Sequence, residues 1–269
     1  MANTYPASQT FKFLKSEYSH LRALENSNKT QAIIKVDSIG EEDGCAKLRL
    51  RTTAYKQSNK KGLFGWVDDL QVIKDDLEVL LTPDGLLGKV LNISDVQKKW
   101  EANKKRIIKK HSKEKYIKGF VAAINELLED EPRFTASLRY VTPYVLLCSG
   151  FSAATEEAQC YREIPNFVGT KTVPIIAKTQ PHTPEGKPDT QEIIVTGEID
   201  RENFEQEKVS AFVAMMRDNL RAKTEVQLRY SERYAFKNNT LPTQAMCMSM
   251  VVIPGFLYRE EESHLKAEQ

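Results

Sequence analysis

An α+β fold with a single curved antiparallel sheet, its helices inserted in the chain and packed on the concave face, follows from three observations. Apolar and polar residues alternate with period two through the first third of the chain. The period becomes helical from Ser94 to Cys148. Strand signals return from Cys160 and continue almost to the end, interrupted by one further helical stretch.

The strand elements come first. Ala32, Ile34 and Val36 begin one strand, and Ala46, Leu48, Leu50 and Thr52 share one face of the next while Lys47, Arg49 and Arg51 share the other. Gly40 to Gly44 supplies the hairpin turn. Strands are predicted over Leu70–Leu81 and Leu86–Ile93, joined by Thr82-Pro83-Asp84-Gly85, where Pro presets the turn entry and Gly accepts positive φ.

A capping box, Ser94 to Gln97, opens the first helix, with Val96, Trp100 and Ile107 on one stripe. Tyr116, Phe120, Ile124, Leu127 and Leu128 mark a second helix, ended before Pro132, and Phe134–Cys148 reads as a third, with strand as the alternative. Tyr161–Phe167, Thr172–Thr179 and Glu192–Ile199 read as strands, with a Pro-rich hairpin loop at Gln180–Thr190. Glu205–Arg221 reads as a helix with Val209, Val213, Met216 and Leu220 on one stripe, widened by Phe212. Glu225–Phe236 and Ala245–Tyr258 close the fold as strands around a turn at Asn238–Pro242. No repeat or linker divides the 269 residues, so residues 1–260 are expected to form one domain and 261–269 a charged, frayed tail. Helices on the concave side of a bent sheet, a half-barrel, bury the apolar stripes most economically.

Composition narrows the function. Lys and Arg number 39 and Asp and Glu 37, a net charge of +2 that gives no global attraction to nucleic acid or membranes. No stretch is long and apolar enough for a transmembrane helix, and the first residues lack the basic and apolar regions of a secretory signal. The four cysteines, Cys45, Cys148, Cys160 and Cys247, show no CxxC spacing and read as reduced thiols. A cytoplasmic location is therefore expected, or a periplasmic one had a signal been removed. His20, His111, His182 and His264 are not at ligand spacing, and the chain carries no HExxH, GxSxG, Walker A or GxGxxG motif. The expectation is a protein without catalytic residues, metal or cofactor.

Two asymmetries point to binding surfaces. Between Lys98 and Lys118 lie ten basic and two acidic residues, a local charge of +8 against −6 for the rest of the chain. On a helix, Lys98, Lys99, Lys105, Arg106, Lys109, Lys110 and Lys113 share the side opposite Val96, Trp100 and Ile107. Such a face suits an anionic contact; it equally suits the solvated side of a docked helix. Aromatic residues for base stacking are missing from it, so nucleic acid is the less favoured partner. The second asymmetry is Gln57–Val67, in which Leu63, Phe64 and Trp66 stand among glycines; at a hairpin tip they are exposed anchors, and folded back they are core. Tyr161–Thr172, with Pro165, marks a sheet edge.

The stretch Leu77–Trp100, a strand, an Asp-Gly turn, a strand ending at Asn92 and a helix with an early Trp, resembles a set of uncharacterised bacterial proteins. These in turn are similar to the curved-sheet half-barrels of lipoprotein carriers and related lipid-binding proteins. Gly197-Glu198-Ile199-Asp200, followed by a helix and two strands, fits the same layout. The resemblance implies the half-barrel fold and an apolar ligand held between sheet and helices. It assigns no catalytic residue.

The leading expectation is a non-enzymatic binding protein acting through contacts with another protein or by self-assembly, as an adaptor, chaperone-like or assembly component. The alternative is a carrier of a lipid or other apolar ligand near Trp100, Phe120 and Tyr144. An enzyme with scattered catalytic residues is the third.

Overall fold

The computed structural model describes residues 5–61, 63–151, 156–168, 171–186, 189–217, 224–237 and 241–268. Among these, eleven strands form one antiparallel sheet, open at both edges and curved, with the helices on one face. The first five strands are β1 (Ser8–Leu21), β2 (Leu24–Glu42), β3 (Cys45–Gln57), β4 (Asp76–Leu81) and β5 (Leu87–Val90). Four helices follow, α2 (Ile93–Lys110), α3 (Ile117–Glu129), α4 (Glu131–Arg139) and α5 (Tyr144–Leu147), after a short α1 (Leu63–Asp69) between β3 and β4. The second half holds β6 (Ala158–Val168), β7 (Lys171–His182), β8 (Thr190–Ile199), α6 (Gln206–Arg217), β9 (Gln227–Lys237), β10 (Gln244–Ile253) and β11 (Leu257–Ala267).

The spatial order is β5-β4-β3-β2-β1-β11-β10-β9-β8-β7-β6. Each half is a meander in which sequence neighbours pair, the cheapest connection for antiparallel strands. The halves join through one non-local pair, β1 with β11, in register from Phe11↔Ala267 to Leu21↔Leu257.

Period-two alternation sets the buried face. Ala32, Ile34, Val36, Ala46, Leu48 and Leu50 are buried on it, as the sequence predicts. Over this face lie Val96, Trp100, Ile107, Ile124, Leu128, Phe134 and Leu138 of the inserted helices, and Val209 and Val213 of α6, in one continuous apolar core. Leu220 lies outside the described residues.

Several expectations are corrected. The tail expected to fray at 261–269 is the second half of β11, at the centre of the sheet: Ser263 and Leu265 are buried. Its signal was masked because the inner face here carries charge, at Glu261, so apolar alternation is absent. The strand expected over Ala245–Tyr258 breaks at Gly255, whose φ of 67° turns the chain into β11. β1 likewise has no apolar alternation beyond Phe13.

The strand expected from Leu70 begins only at Asp76, because Leu70–Ile73 continues α1 as a 3₁₀ turn that buries Ile73. The first long helix starts at Ile93, not at the predicted capping box. Asn92 is the cap residue, and its side chain accepts from Glu78 N at 2.9 Å and donates to Asp76 O at 3.1 Å, tying the helix entry to β4. The third helix is two pieces, α4 and α5, separated by Thr142-Pro143, because Pro143 supplies no backbone donor. Asp130 caps α4 by accepting from Arg133 N at 3.0 Å.

The two edges differ. β5 is only four residues long and Arg139 of α4 donates to its carbonyls, at 2.8 Å to Leu87 O and 3.3 Å to Gly88 O. β6 is the other edge, as Pro165 led one to expect. No helix among the described residues is long and apolar enough to cross a membrane.

Because β11 bridges the two meanders, deleting residues 257–269 is expected to abolish cooperative unfolding, whereas a frayed tail would be dispensable. Urea denaturation followed by far-UV circular dichroism distinguishes the two.

Candidate functional site

The candidate site is the outer side of the helical layer, and its geometry depends on how α1 meets α2. Gln57, at the end of β3, is buried and turns the chain inward: its side-chain amide donates to Asn59 O at 2.6 Å and Phe64 O at 2.8 Å. Residues 63–69 therefore form a helix against the layer rather than a hairpin tip. Phe64 and Trp66 are half-buried. Trp66 packs against Phe120 with ring centroids 4.7 Å apart and meets His111 edge-on at 6.0 Å. The expectation that Phe64 and Trp66 stand out as exposed anchors is thus corrected; Gly65, between them, serves close packing, and Gly62 lies outside the described residues. Gly65 is buried, and a Cβ there would lie 2.6 Å from Lys60 O. The placement of the Leu63 side chain lies outside the description.

Asp69, the last residue of α1, organises the end of α2. Its carboxylate accepts from His111 Nε2 at 2.7 Å and Lys110 Nζ at 2.8 Å, and Arg106 stands at 3.5 Å. The other His111 nitrogen, Nδ1, meets Glu114 at 2.9 Å. Burial opposes charge on Asp69, but the hydrogen bonds from Lys110 and His111 outweigh it and hold the carboxyl below its ordinary range.

This clamp divides the cationic face predicted from the sequence. Lys99 is paired with Asp75, Lys98 with Asp95 at 3.1 Å, and Arg106 and Lys110 with Asp69. Lys99, Arg106 and Lys110 thus tie the helix to neighbouring elements, while the Lys98–Asp95 pair is an exposed contact within α2 itself. Lys105, Lys109 and Lys113 are exposed and have no ion-pair partner among the described residues. Lys118 is exposed as well, and the Lys115 ammonium lies 5.5 Å from the centre of the Tyr116 ring.

Beside these cations α2 and α3 leave a shallow groove of about 260 Å³ lined by Ile108, Ile117, Lys118, Val121, Ala122 and Asn125. Ile108 is one turn from Lys105 on the same helix face and is 38% exposed; Tyr116, at the groove's end of the chain, is 69% exposed. Sequence periodicity placed the cations but missed the groove, since its walls come from two helices whose packing no local pattern specifies.

Trp100, Phe120 and Tyr144, the residues expected near an apolar ligand, each have partners of their own. Trp100 is buried with its indole donating to Asn125 Oδ1 at 2.8 Å, Phe120 stacks on Trp66, and the Tyr144 hydroxyl donates to Lys74 O at 3.1 Å. The partners of the three differ: Asn125 of α3 for Trp100, Trp66 of α1 for Phe120 and the Lys74 carbonyl for Tyr144.

Elsewhere on the inner face a second buried network closes on itself. Glu232 is buried and receives Arg162, whose Nε is 2.7 Å away, together with the hydroxyls of Tyr230 and Tyr234. The Arg162 guanidinium lies 4.9 Å from the centre of the Phe151 ring. Burial first, and then the Glu232 charge, push both tyrosine hydroxyls well above their ordinary range, so they stay protonated as donors. With every acceptor position of Glu232 engaged, the network is structural in character. Among the described residues no group of three or more His, Cys, Asp or Glu side chains is arranged to hold a metal ion.

Two outcomes test these networks. Asp69→Asn should lower stability by about 2 kcal/mol, the cost of taking the carboxylate from the buried His111 donor. The Asp69 contribution is fully present above the ordinary carboxylate value of 3.8 and is lost as pH falls through the lower folded-state value. Urea titrations of wild type and D69N should therefore converge at strongly acid pH. Gly197→Ala should destabilise by about 1–3 kcal/mol, because a Cβ there would lie 2.5 Å from Ile175 and 2.9 Å from the Tyr230 ring; thermal melting checks it.

No family model matches the chain, and no curated protein matches it. A solved structure described as "lipid-protein interactions in lipovitellin" is similar at a TM-score of 0.46 and 10% identity, over 98% of this chain and 25% of that one. The chain therefore spans about a quarter of the length of that structural neighbour.

Proposed function

We propose that the protein is a non-enzymatic binding protein that seats an acidic, amphipathic segment of another protein on the outer side of α2 and α3. The observation that carries this reading is the placement of the uncommitted cations Lys105, Lys109, Lys113 and Lys118 around the apolar groove walled by Ile108, Ile117, Val121 and Ala122. Carboxylates of the partner meet the lysines, which steer and orient it, and one or two apolar side chains enter the groove. A groove of this volume takes an aliphatic or aromatic side chain, not a whole lipid chain. The four cysteines are all unpaired thiols, which suits a reducing, cytoplasmic setting.

The test uses a synthetic helical peptide with Leu at three-and-four spacing and Glu on the flanks, measured by fluorescence anisotropy. Wild type should bind it with a Kd that rises steeply with salt. The variant K105E/K109E/K113E should bind at least about tenfold more weakly, at roughly 0.5–1 kcal/mol per exposed charge, with an unchanged melting temperature. Equal affinity in the two proteins would overturn the reading, as would binding only to anionic vesicles and not to the peptide.

A further inference from the structure

The two edges of the sheet are guarded differently. β5 is four residues long and Arg139 meets its carbonyls. β6 runs for eleven residues, and among the described residues β7 is its one strand partner. Native edges are blunted by proline, by bulges or by covering segments. On β6, Pro165 and a register shift between Ile164 and Val168 do this, and both lie in its last residues. The stretch 158–164 pairs with β7 in unbroken register, from Ala158↔Thr179 to Ile164↔Val173.

The bonding of β7 fixes which backbone groups of that stretch point outward. Asp200 N donates to Pro174 O at 3.0 Å, so Pro174 turns its backbone toward β8, and Val173 and Ile175 turn theirs toward β6. Ile164 and Arg162, opposite Val173 and Ile175, therefore face β7. Ala158 does too, since its N–H and C=O both bond the Thr179 hydroxyl, at 3.0 and 3.1 Å. The residues between them, Gln159, Tyr161 and Glu163, aim N–H and C=O at the open edge. The Tyr161 carbonyl accepts from Arg162 Nη1 at 3.2 Å and keeps a second lone pair. Pro165, two residues on, has no N–H to offer. The side chains of Gln159, Tyr161 and Glu163 stand on the face opposite the helices, all exposed, Tyr161 by 62%.

We infer that β6 is a dimerisation edge, pairing antiparallel with β6 of a second copy of this chain about a two-fold axis at Tyr161. Three registers bring the outward groups together, and chemistry separates them. Centred on Tyr161, every N–H and C=O of Gln159, Tyr161 and Glu163 finds a partner, and the ladder stops before Pro165. Gln159 then lies opposite Glu163 on both sides of the axis, amide donor beside carboxylate, with the two Tyr161 rings between them. Centred on Arg162, Gln159 meets the missing donor of Pro165 and the two arginines oppose each other. Centred on Cys160, Glu163 opposes Glu157. The Tyr161 register alone avoids both like charges and a lost bond. A longer strand from another protein would run past Glu163 and lose a bond at Pro165, which favours the self-pair. So short a ladder is smaller than the interface of a permanent dimer, and the association is weak, in the micromolar range. The edge shares no residue with the α2–α3 surface, so the two readings fail separately.

Sedimentation velocity of the full chain under reducing conditions, over about 5–500 μM, tests the inference. Wild type should pass from monomer to dimer across that range. Tyr161→Pro removes one outward N–H and no bond within the monomer; its dimer Kd should rise at least about tenfold, with a melting temperature near that of wild type. Gln159→Glu sets carboxylates opposite each other and should weaken the dimer about threefold or more, whereas Gln159→Lys should tighten it by a similar factor. Those two variants change one exposed side chain, so they decide the matter even if Y161P does not fold. The inference is overturned by a monomer at every concentration, or by a dimer whose Kd ignores Q159E and Q159K. Equally fatal is a protein that stays monomeric yet binds a synthetic peptide of residues 156–164, since the edge would then take a strand from elsewhere.

Discussion

Strands β1 and β11 come from opposite ends of the described chain and pair from Phe11↔Ala267 to Leu21↔Leu257. Everything else in the sheet is local: each other strand pairs with a neighbour in sequence. The one long-range pairing thus converts two meanders, each with its own exposed inner edge, into a continuous curved layer. Closing a loop of that length costs entropy that grows only slowly with length, and the return is a ladder of backbone hydrogen bonds plus the burial of Phe11, Phe13 and Leu265. The helices then have a surface wide enough to cover.

The strip that runs along this joint is polar because of what covers it. Apolar helices lie over β2–β5 on one side and α6 lies over the second meander on the other, each above Val, Ile and Leu positions. Between them, Lys15, Glu17, Glu261 and Arg259 are only partly exposed; burial opposes charge on Lys15 and Glu261, and the pairs they make with one another outweigh it. Glu232, by contrast, is fully enclosed and is matched by one guanidinium and two phenols. The two networks show the same rule at different depths: an ionised group on the inner face is surrounded by partners in proportion to its loss of solvent.

The outer face works by a division of labour along α2. Its apolar stripe, Val96, Trp100 and Ile107, docks the helix, and Asp69 and Asp75 draw Lys99, Arg106 and Lys110 down onto α1 and the sheet. Lys98 and Lys104 pair with Asp95 and Glu101 on α2 itself, and Lys105, Lys109 and Lys113 have no ion-pair partner among the described residues. A run of ten basic residues is thus part scaffold and part surface, and Asp69 and Asp75 mark the part that is tied to the rest of the fold.

Alternation of apolar residues in β2 and β3, the Asp84-Gly85 turn, the stripe of α2 and the Pro165 edge were all legible, because each depends on residues within a few positions of one another. Local chemistry alone was enough to establish a strand-rich chain with an inserted helical block and a concentrated positive charge. What the tertiary structure decided was everything that two distant segments settle together: that 257–267 is the central strand, that Trp66 turns inward toward Phe120 and His111, which cations of α2 stay unpaired, and that Glu232 is enclosed by Arg162, Tyr230 and Tyr234. Side-chain alternation shows which residues share a face of a strand, but not what lies opposite that face, and burial or pairing of a charge is a property of the opposing surface.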